Sequence, residues 1–382
     1  MLIQTHTLQM HTPRIHNPVA ASCGESVAEA AGVIRDGIGG GKLQDNHDRL
    51  EQWLAGQEPG PLTIEVALVH GCNHNCIHCY PQQFNPYDPH KSFLDGEVFK
   101  NFLMEFREMG GVETYFAGTG EPLLHPHFKA IMAHGHELGL RMTFSSNGIM
   151  LTEANAEKIL PYTTWVRFSV NGGNAETYTR VHACHSRDFA RLVRNLEHAC
   201  QVRDTRHLPV QLAMQFVVFE ANWRSIPDMV ALHRHLGTDK LIFRNRFDRE
   251  GYKHPVHPEA IPLLEMAARD ERVEVRWNSF PWEGEVQQAA WQRCDGIHFR
   301  THMDHEGSLF ACVRHFHKES RFGNIHTQSF KDIWHSAARR QLFAGIACGG
   351  DIPLCSRLCS TAFDNVYIEE YVQGKHHGAS TH

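Results

Sequence analysis

Strands and helices alternate regularly through the middle of this 382-residue chain, between residue 62 and about residue 250. Six apolar segments rich in β-branched residues have the length of strands, at 63–69, 113–117, 141–145, 165–170, 210–218 and 240–246. Amphipathic segments of helical length separate most of them, at 94–109, 128–138, 154–160, 189–202 and 225–236. This alternation predicts a parallel sheet with right-handed crossovers. Six units predict an α/β fold, a partial (β/α)6 barrel that stays open.

Three cysteines, Cys72, Cys76 and Cys79, follow the first predicted strand directly. A cubane [4Fe–4S] cluster is normally held by four thiolates, and the next cysteine along the chain is Cys184. One iron of such a cluster would therefore have no protein ligand and would be open to a small molecule. A zinc site that also uses His74 or His78 is the alternative, because zinc takes four tetrahedral nitrogen or sulfur ligands.

Composition and charge exclude several classes of protein. The formal net charge is -6 and the pI is near 6.6, so no nucleic-acid-binding surface is predicted. The apolar runs are strand-sized, far short of the roughly 18 residues of a membrane span, and no secretory signal pattern opens the chain. Eight of the eleven cysteines fall in two clusters, which favours metal or cluster binding over disulfides. These features predict a cytoplasmic protein that binds no membrane.

Short motifs rich in glycine, serine and asparagine follow the next three predicted strands. They are Gly118-Thr119-Gly120-Glu121-Pro122, Ser145-Ser146-Asn147-Gly148 and Ser169-Val170-Asn171-Gly172. Each motif alone is typical of a simple turn. Because the carboxyl ends of parallel strands meet at one edge of the barrel, the motifs and the cysteines are predicted to share one site.

The cysteine triplet and these motifs, in this order, resemble those of the radical S-adenosylmethionine (radical SAM) enzymes. In that family the open iron binds the methionine part of S-adenosylmethionine, and the reduced cluster releases a 5′-deoxyadenosyl radical that abstracts hydrogen from a substrate. The resemblance implies that the three cysteines hold this [4Fe–4S] cluster. It also implies that the following residues contact the cofactor: Gly118, Thr119, Gly120, Glu121, Ser146, Asn147, Ser169 and Arg180. Two positions depart from the family pattern, since Thr119 replaces a glycine and Asn171 replaces an acid.

Three residues are candidates for a catalytic role. Arg244 and Arg246 lie on one face of the last predicted barrel strand. If that face is the lumen, they clamp an anionic substrate or accept a proton, and otherwise they are surface charges. Cys184 lies in a loop after the fourth strand, where its thiol either returns a hydrogen atom to a substrate radical or is an ordinary free cysteine.

The C-terminal region contains five further cysteines and resembles the auxiliary-cluster domain called SPASM, or its shortened form, twitch. A hairpin is predicted around 301–313, followed by a helix. A full SPASM domain has seven cysteines, whereas this region has five. Two complete [4Fe–4S] clusters would need eight ligands, so at most one auxiliary cluster is held by cysteine alone. The implied ligands are Cys294, Cys312, Cys355 and Cys359, with Cys348 as the competitor, and a zinc ribbon is the alternative.

These features divide the chain into four predicted parts. Residues 1–60 form a weakly structured extension, 61–250 the radical SAM barrel, 251–370 the auxiliary-cluster domain and 371–382 a flexible tail. The first part is short and glycine-rich for a winged-helix domain that binds leader peptides.

The family resemblance implies an oxidoreductase or maturase served by a flavodoxin- or ferredoxin-type reductant. Oxidative modification of a peptide or protein side chain is favoured. Dehydrogenation of a small molecule such as an aminocyclitol or sugar is the alternative. A non-catalytic iron–sulfur electron carrier is a third possibility, and the cofactor motifs argue against it.

Overall fold

A computed structural model describes residues 42–79, 92–246, 254–280, 291, 293–312, 320–348 and 361–378. Its strands are β1 (Thr63–Val66), β2 (Val69–His70), β3 (Ser92–Phe93), β4 (Glu113–Phe116), β5 (Arg141–Ser146), β6 (Trp165–Ser169), β7 (Gln211–Val218), β8 (Lys240–Asn245), β9 (Val273–Val275), β10 (Arg300–Met303), β11 (Ser308–Phe310) and β12 (Arg321–Asn324). Its helices are α1 (Lys42–Asp45), α2 (His47–Leu54), α3 (Gly96–Glu108), α4 (Phe128–Glu137), α5 (Glu153–Ile159), α6 (Ala175–His182), α7 (Asp188–Thr205), α8 (Ile226–Leu236), α9 (Ala260–Ala267), α10 (Phe330–Trp334), α11 (Ala337–Cys348) and α12 (Ala362–Gly378).

Ten of the strands form one sheet in the order β12-β11-β10-β1-β4-β5-β6-β7-β8-β9. From β1 to β9 every neighbouring pair is parallel. This confirms the predicted partial barrel and adds β9 as a seventh parallel strand. The first predicted strand is divided, since β1 ends at Val66 and β2 pairs separately with β3.

Alternation along the strands separates an apolar face from a polar one. Phe116 of β4 and Phe144 of β5 are fully buried, and both rings contact the ring of Phe128 on α4. The neighbouring positions, Tyr115 and Ser145, therefore point away from these helices, into the barrel lumen. Their side chains hydrogen-bond each other across the strands at 2.7 Å. The lumen thus has a polar lining close to the carboxyl ends of the strands.

The C-terminal hairpin extends the barrel sheet. β10 pairs in parallel with β1 and antiparallel with β11, which pairs antiparallel with β12. The predicted hairpin and the helix after it are therefore present, and the hairpin shares its sheet with the barrel. The indole of Trp334 in α10 is fully buried and donates a hydrogen bond to the carbonyl of Pro59 at 2.9 Å.

The predictions for the two terminal segments of the chain differ from the structure. Part of the extension expected to be weakly structured is helical, because Leu43 of α1 and Leu50 of α2 are buried in a cluster with Phe299 and Ile368. Residues 1–41 lie outside the described residues. The tail expected from 371 begins inside α12, which continues to Gly378. Ile368 on α12 packs in the same cluster, which anchors that helix to the barrel.

Candidate active site

The loop that carries the three cysteines lies at the carboxyl end of the barrel and rests on the end of α6. Gly71 begins it with a φ of 121°, a conformation that favours glycine. The backbone N–H of Asn75 donates to the carbonyl of His182 at 3.2 Å, and that of Ile77 donates to Val181 at 3.0 Å. Helix α6 was not among the predicted helices, although Asn174 caps it through a bond to the N–H of Thr177.

The three thiols of this loop lie close enough to influence one another electrostatically. Burial raises the pKa of Cys72 to about 12, and it raises the pKa of Cys76 well above its usual range, with Cys72 and Cys79 adding to the effect on Cys76. Half-buried thiols of this kind become thiolates when a metal coordinates them, because the cation supplies the missing stabilisation. The set of donors therefore fits a thiolate-bound metal cluster.

A histidine that the sequence analysis did not identify contacts this loop. Nδ1 of His182 lies 3.2 Å from Sγ of Cys76, and its Nε2 accepts a hydrogen bond from the N–H of Asn171 at 3.2 Å. The side-chain amide of Asn171 in turn lies 3.0 Å from Nε2 of His78. No spacing in the sequence indicates these contacts, because they join the cysteine loop to residues about a hundred positions away.

The Gly118–Gly120 turn packs directly against the base of the cysteine loop. Gly71 and Gly120 form a parallel β-bridge, and the N–H of Glu121 donates to the carbonyl of Gly71 at 3.2 Å. A Cβ added at Gly120 would lie 2.4 Å from the carbonyl oxygens of Gly71 and Val69. Only glycine fits at position 120. The bridge and the hydrogen bond confirm that the glycine turn and the cysteine loop meet, as predicted. Thr119 Oγ1 donates to Val69 O at 3.4 Å.

The carboxylate of Glu121 joins this turn to the next motif. It accepts hydrogen bonds from Ser146 Oγ at 2.8 Å, from the N–H of Asn147 at 2.8 Å and from the N–H of Leu123 at 3.2 Å. Burial raises the pKa of Glu121 to about 7, against the lowering effect of these bonds. Asn147 then reaches the cysteine loop, where its amide donates to Asn73 Oδ1 at 2.7 Å. Glu121 therefore positions the surrounding loops with its carboxylate.

The other two predicted cofactor contacts are Ser169 and Arg180, which lie on different elements. Ser169 ends β6 at the same edge and is half-buried. Arg180 lies on α6, where its guanidinium donates to the carbonyl of Ala221 at 2.8 Å and lies 3.5 Å from the carboxylate of Glu176. Its side chain is 52% exposed. The role of Arg180 in cofactor binding stays a prediction.

Arg244 and Arg246 lie at the mouth of the barrel, beside the cysteine loop. Both charges lower the pKa of His78, which falls to about 3 mainly because of desolvation. The guanidinium carbon of Arg246 lies 5.8 Å from the centre of the Phe219 ring. Arg244 is the deeper of the two, since it interacts electrostatically with Arg167 and Arg276 in the lumen.

Cys184 lies beside the cysteine loop, in a group that includes His74 of that loop. Its thiol, His74 and Asp188 place one ligand atom each within 4.8 Å of one another. Burial raises the pKa of Cys184 to about 11, and Asp188 adds to the effect. Its thiol lies 3.7 Å from the carbonyl of His185. The hydrogen-donor role of Cys184 stays a prediction.

The auxiliary-cluster cysteines are only partly described. Cys294 and Cys312 are both buried. Sγ of Cys294 accepts a hydrogen bond from the amide of Asn365 at 3.4 Å and lies 3.9 Å from Oγ1 of Thr361. Cys355 and Cys359 lie outside the described residues, and Cys348 ends α11 without a described side chain. The ligand set of this region therefore stays a prediction.

Comparisons with known proteins match both regions of the chain. The profile of the Radical SAM superfamily matches residues 66–210, and that of the SPASM domain, described as an iron–sulfur cluster-binding domain, matches 294–360. Mycofactocin maturase MftC of Mycobacterium ulcerans is 26% identical over 82% of this chain and 86% of its own length. The AdoMet-dependent heme synthase of Methanosarcina barkeri is 24% identical over 72% of this chain and 83% of its own.

A solved structure shares the fold. Streptococcus suis SuiB, bound to its precursor peptide SuiA, superposes with a TM-score of 0.59 and 14% identity, over 80% of this chain and 71% of that one.

None of the helices in the described part of the chain combines the length and the apolar composition needed to cross a membrane. The cofactors are a [4Fe–4S] cluster, S-adenosylmethionine and an auxiliary iron–sulfur cluster. With its cysteine loop, glycine turn and C-terminal hairpin in this arrangement, the chain belongs to the radical SAM superfamily and carries a C-terminal SPASM domain.

Proposed function

We propose that this radical SAM enzyme oxidatively modifies a side chain of a peptide or protein, as an oxidoreductase of the maturase kind. The observation that carries this proposal is the similarity to a maturase along 82% of the chain, which includes both the barrel and the SPASM region. SuiB, which shares the fold, is a protein whose structure contains a bound precursor peptide. The polar lumen beneath the cysteine loop supports a substrate site at this end of the barrel.

In this proposal Cys72, Cys76 and Cys79 hold the first cluster. The backbone of Gly118–Gly120, with Ser146, Asn147, Ser169 and Arg180, holds S-adenosylmethionine, while Glu121 fixes the loops around it. When bound, these cofactors supply a 5′-deoxyadenosyl radical that abstracts a hydrogen atom from the substrate. Arg244 and Arg246 face the site from β8 and from the residue after it.

The auxiliary cluster is proposed to take its ligands from Cys294, Cys312, Cys355 and Cys359, with Cys348 as the competitor. The support is that Cys294 contacts Thr361, which follows Cys359 by two positions in the sequence. Flavodoxin or ferredoxin is the proposed reductant. A reducing cytoplasm is the proposed location, because thiolate-bound clusters need reduced cysteines.

The reaction class is tested by incubating anaerobically reconstituted protein with S-adenosylmethionine and dithionite. We expect 5′-deoxyadenosine from the wild-type protein and none from Cys76→Ala. An electron carrier would form none in either case. Adding the peptide and protein fraction or the low-mass fraction of a deuterated cell extract, and measuring deuterium in the 5′-deoxyadenosine by mass spectrometry, then identifies the substrate class.

Deuterium transfer from the peptide and protein fraction would support the proposal, and transfer from the low-mass fraction alone would replace it. The second outcome corresponds to the alternative, dehydrogenation of a small molecule such as an aminocyclitol or sugar. The similarity to the AdoMet-dependent heme synthase, a relative whose name refers to a small-molecule product, favours retaining this alternative.

A further inference from the structure

Three potential metal ligands of different chemical kinds meet beside the cysteine loop. His74 lies in that loop, Cys184 follows α6, and Asp188 begins α7. One ligand atom from each of the three lies within 4.8 Å of the other two. His74 and Asp188 are buried and Cys184 is half-buried, so this group differs from a solvated cluster of surface charges.

The separation of two of these ligands suits coordination of one ion. Nε2 of His74 lies 3.7 Å from Oδ2 of Asp188, which exceeds the usual hydrogen-bond length of about 2.7–3.2 Å. Two ligands on one tetrahedral zinc ion, each about 2.0–2.2 Å from the metal, lie roughly 3.4 Å apart. A small approach of the two side chains would therefore let them share an ion.

The existing contacts of Asp188 and Cys184 are compatible with coordination. Oδ2 of Asp188 accepts a hydrogen bond from the backbone N–H of His185 at 3.2 Å, which fixes the carboxylate at the start of α7. A carboxylate has about four lone-pair sites, so this bond leaves capacity for an ion. The thiol of Cys184 lies 3.7 Å from the carbonyl of His185, a weak contact that a thiolate gives up. One thiolate and one carboxylate balance the charge of a divalent cation.

A buried tyrosine hydroxyl near this group has no partner. The side chain of Tyr178 is fully buried, and its hydroxyl forms no hydrogen bond with any of the described residues. Its ring lies edge-on to the ring of His74, with centroids 6.0 Å apart, and its hydroxyl interacts electrostatically with Cys184 and Asp188. Buried polar groups are almost always paired, so a water bound to an ion in this group would supply a partner.

We propose that His74, Cys184 and Asp188 bind a zinc ion, with a water as its fourth ligand. Three protein ligands and a water form a common zinc coordination set. The site is separate from the first cluster, because it uses none of the three cysteines of the loop. It ties the cysteine loop to the start of α7. The inference does not depend on the proposed function, and it excludes the hydrogen-donor role predicted for Cys184, because a zinc-bound thiolate has no hydrogen atom to return.

Zinc K-edge X-ray absorption tests the site, because it reports on zinc alone in the presence of iron. Anaerobic protein loaded with its iron–sulfur clusters is mixed with an equivalent of zinc chloride and desalted before measurement. We expect bound zinc with a single sulfur ligand at about 2.3 Å and nitrogen or oxygen ligands at about 2.0–2.2 Å. Zinc with three or four sulfur ligands would lie in the cysteine triplet or the SPASM region, and would overturn the proposal.

Variants assign the ion to these residues. Cys184→Ser and Asp188→Asn should each lower the zinc affinity, measured by competition with a chelator, by about a hundredfold, because changing only a hydrogen-bond partner of a ligand already costs about 10–100-fold. Asparagine at this position can still accept the bond from the N–H of His185, so Asp188→Asn keeps the start of α7 intact. His185→Ala removes an exposed imidazole from the same loop, and this matched control should bind zinc like wild type.

Iron content and circular dichroism establish that each variant is folded and loaded. If Cys184→Ser is unstable, Asp188→Asn decides the question. Absence of bound zinc in the wild-type protein would overturn the site. So would wild-type zinc affinity in the folded ligand variants, which would identify adventitious zinc on surface histidines.

Discussion

His182 has a defined tautomer in this structure because of its two hydrogen-bond partners. Its Nε2 accepts from the N–H of Asn171, so the proton is assigned to Nδ1, which lies 3.2 Å from Sγ of Cys76. Desolvation by burial holds the pKa of His182 well below its usual range, which keeps the ring neutral. The ring also stacks on Tyr178 with centroids 4.2 Å apart. His182 therefore presents an oriented N–H to Cys76, a proposed ligand of the first cluster.

An N–H···S hydrogen bond stabilises the more negative, reduced state of an iron–sulfur cluster and raises its reduction potential. His182→Phe keeps an aromatic ring against Tyr178 and removes the donor. We expect the potential of the first cluster to fall by on the order of 40 mV, from a hydrogen bond worth about 1 kcal/mol in a one-electron couple. A redox titration followed by electron paramagnetic resonance measures it. An unchanged potential in His182→Phe, with normal iron content, would contradict this role.

At the scale of an element, the contact between the glycine turn and the cysteine loop depends on a missing side chain. Gly120→Ala would force a methyl group to within 2.4 Å of two carbonyl oxygens. We expect it to lower the free energy of unfolding by about 1–3 kcal/mol, the usual cost of overpacking, and to weaken S-adenosylmethionine binding. Thermal unfolding of the apoprotein and calorimetry with the cofactor measure the two effects.

The matched control is Gly345→Ala on the exposed side of α11, where a new Cβ would meet nothing within 4 Å. Alanine in a helix interior is more stable than glycine by about 0.5–1 kcal/mol. This variant should therefore be slightly more stable than wild type, with unchanged cofactor binding. Equal stability of Gly120→Ala and Gly345→Ala would show that the turn does not pack as described.

The strands of the barrel were predictable because their side chains carry a strong local signal. All six predicted strands are present, and their bounds agree within a few residues. β9 has only three residues and gives no comparable signal, and α6 is short and polar on its exposed side. Helix α2 was missed because the surrounding residues are rich in glycine and histidine. Its stability comes from burying Leu50 against elements distant in sequence.

The candidate site was predictable where motifs follow strands, and not where strands face each other. The turn at Gly118–Gly120 and the cysteine loop meet as predicted. Arg167, in contrast, lies within an apolar strand. Whether its side chain enters the lumen and contacts Tyr115 depends on which face of β6 points inward. That face is set by packing of the opposite side against helices. The contact between His182 and Cys76 likewise depends on how α6 is placed.

At the scale of the whole molecule, Glu58 joins the segment before β1 to α11. Its carboxylate forms two hydrogen bonds of 2.8 Å with Arg340 and lies 3.4 Å from Nδ1 of His335. The bonds from Arg340 are the main reason that the pKa of Glu58 falls to about 2, from 4.5. A lowered carboxylate pKa stabilises the fold above pH 4.5, and this contribution is lost as the pH falls toward 2.

We therefore expect Glu58→Gln to melt at a modestly lower temperature than wild type at pH 7, since both partners are partly exposed to solvent. The difference should shrink as the pH falls below about 4.5. Melting of the apoprotein followed by circular dichroism between pH 7 and pH 3.5 measures it. The exposed Glu157→Gln serves as the control. A constant difference across that range would contradict the assignment.

Trp334 is a second connection between the C-terminal region and the segment that leads into β1 of the barrel. Trp334→Phe would leave the carbonyl of Pro59 without its donor, which costs about 1–3 kcal/mol for a buried group. Because β1 and β10 share one sheet, we expect the loss to lower the stability of β4 and β11 together. Hydrogen exchange of backbone amides in the two strands is the measurement. Destabilisation confined to β11 would indicate independently unfolding domains.

The pairing of β1 has a consequence for how the protein is made. On one side its partner is β4, with Thr63 opposite Glu113, but on the other side Thr63 lies opposite Arg300, 237 positions later. The strand that leads into the cysteine loop thus cannot gain its second neighbour until most of the polypeptide has left the ribosome. Closing so large a separation makes folding slow. We therefore expect a stably bound cluster only in the completed chain, and the thiols must stay reduced until then.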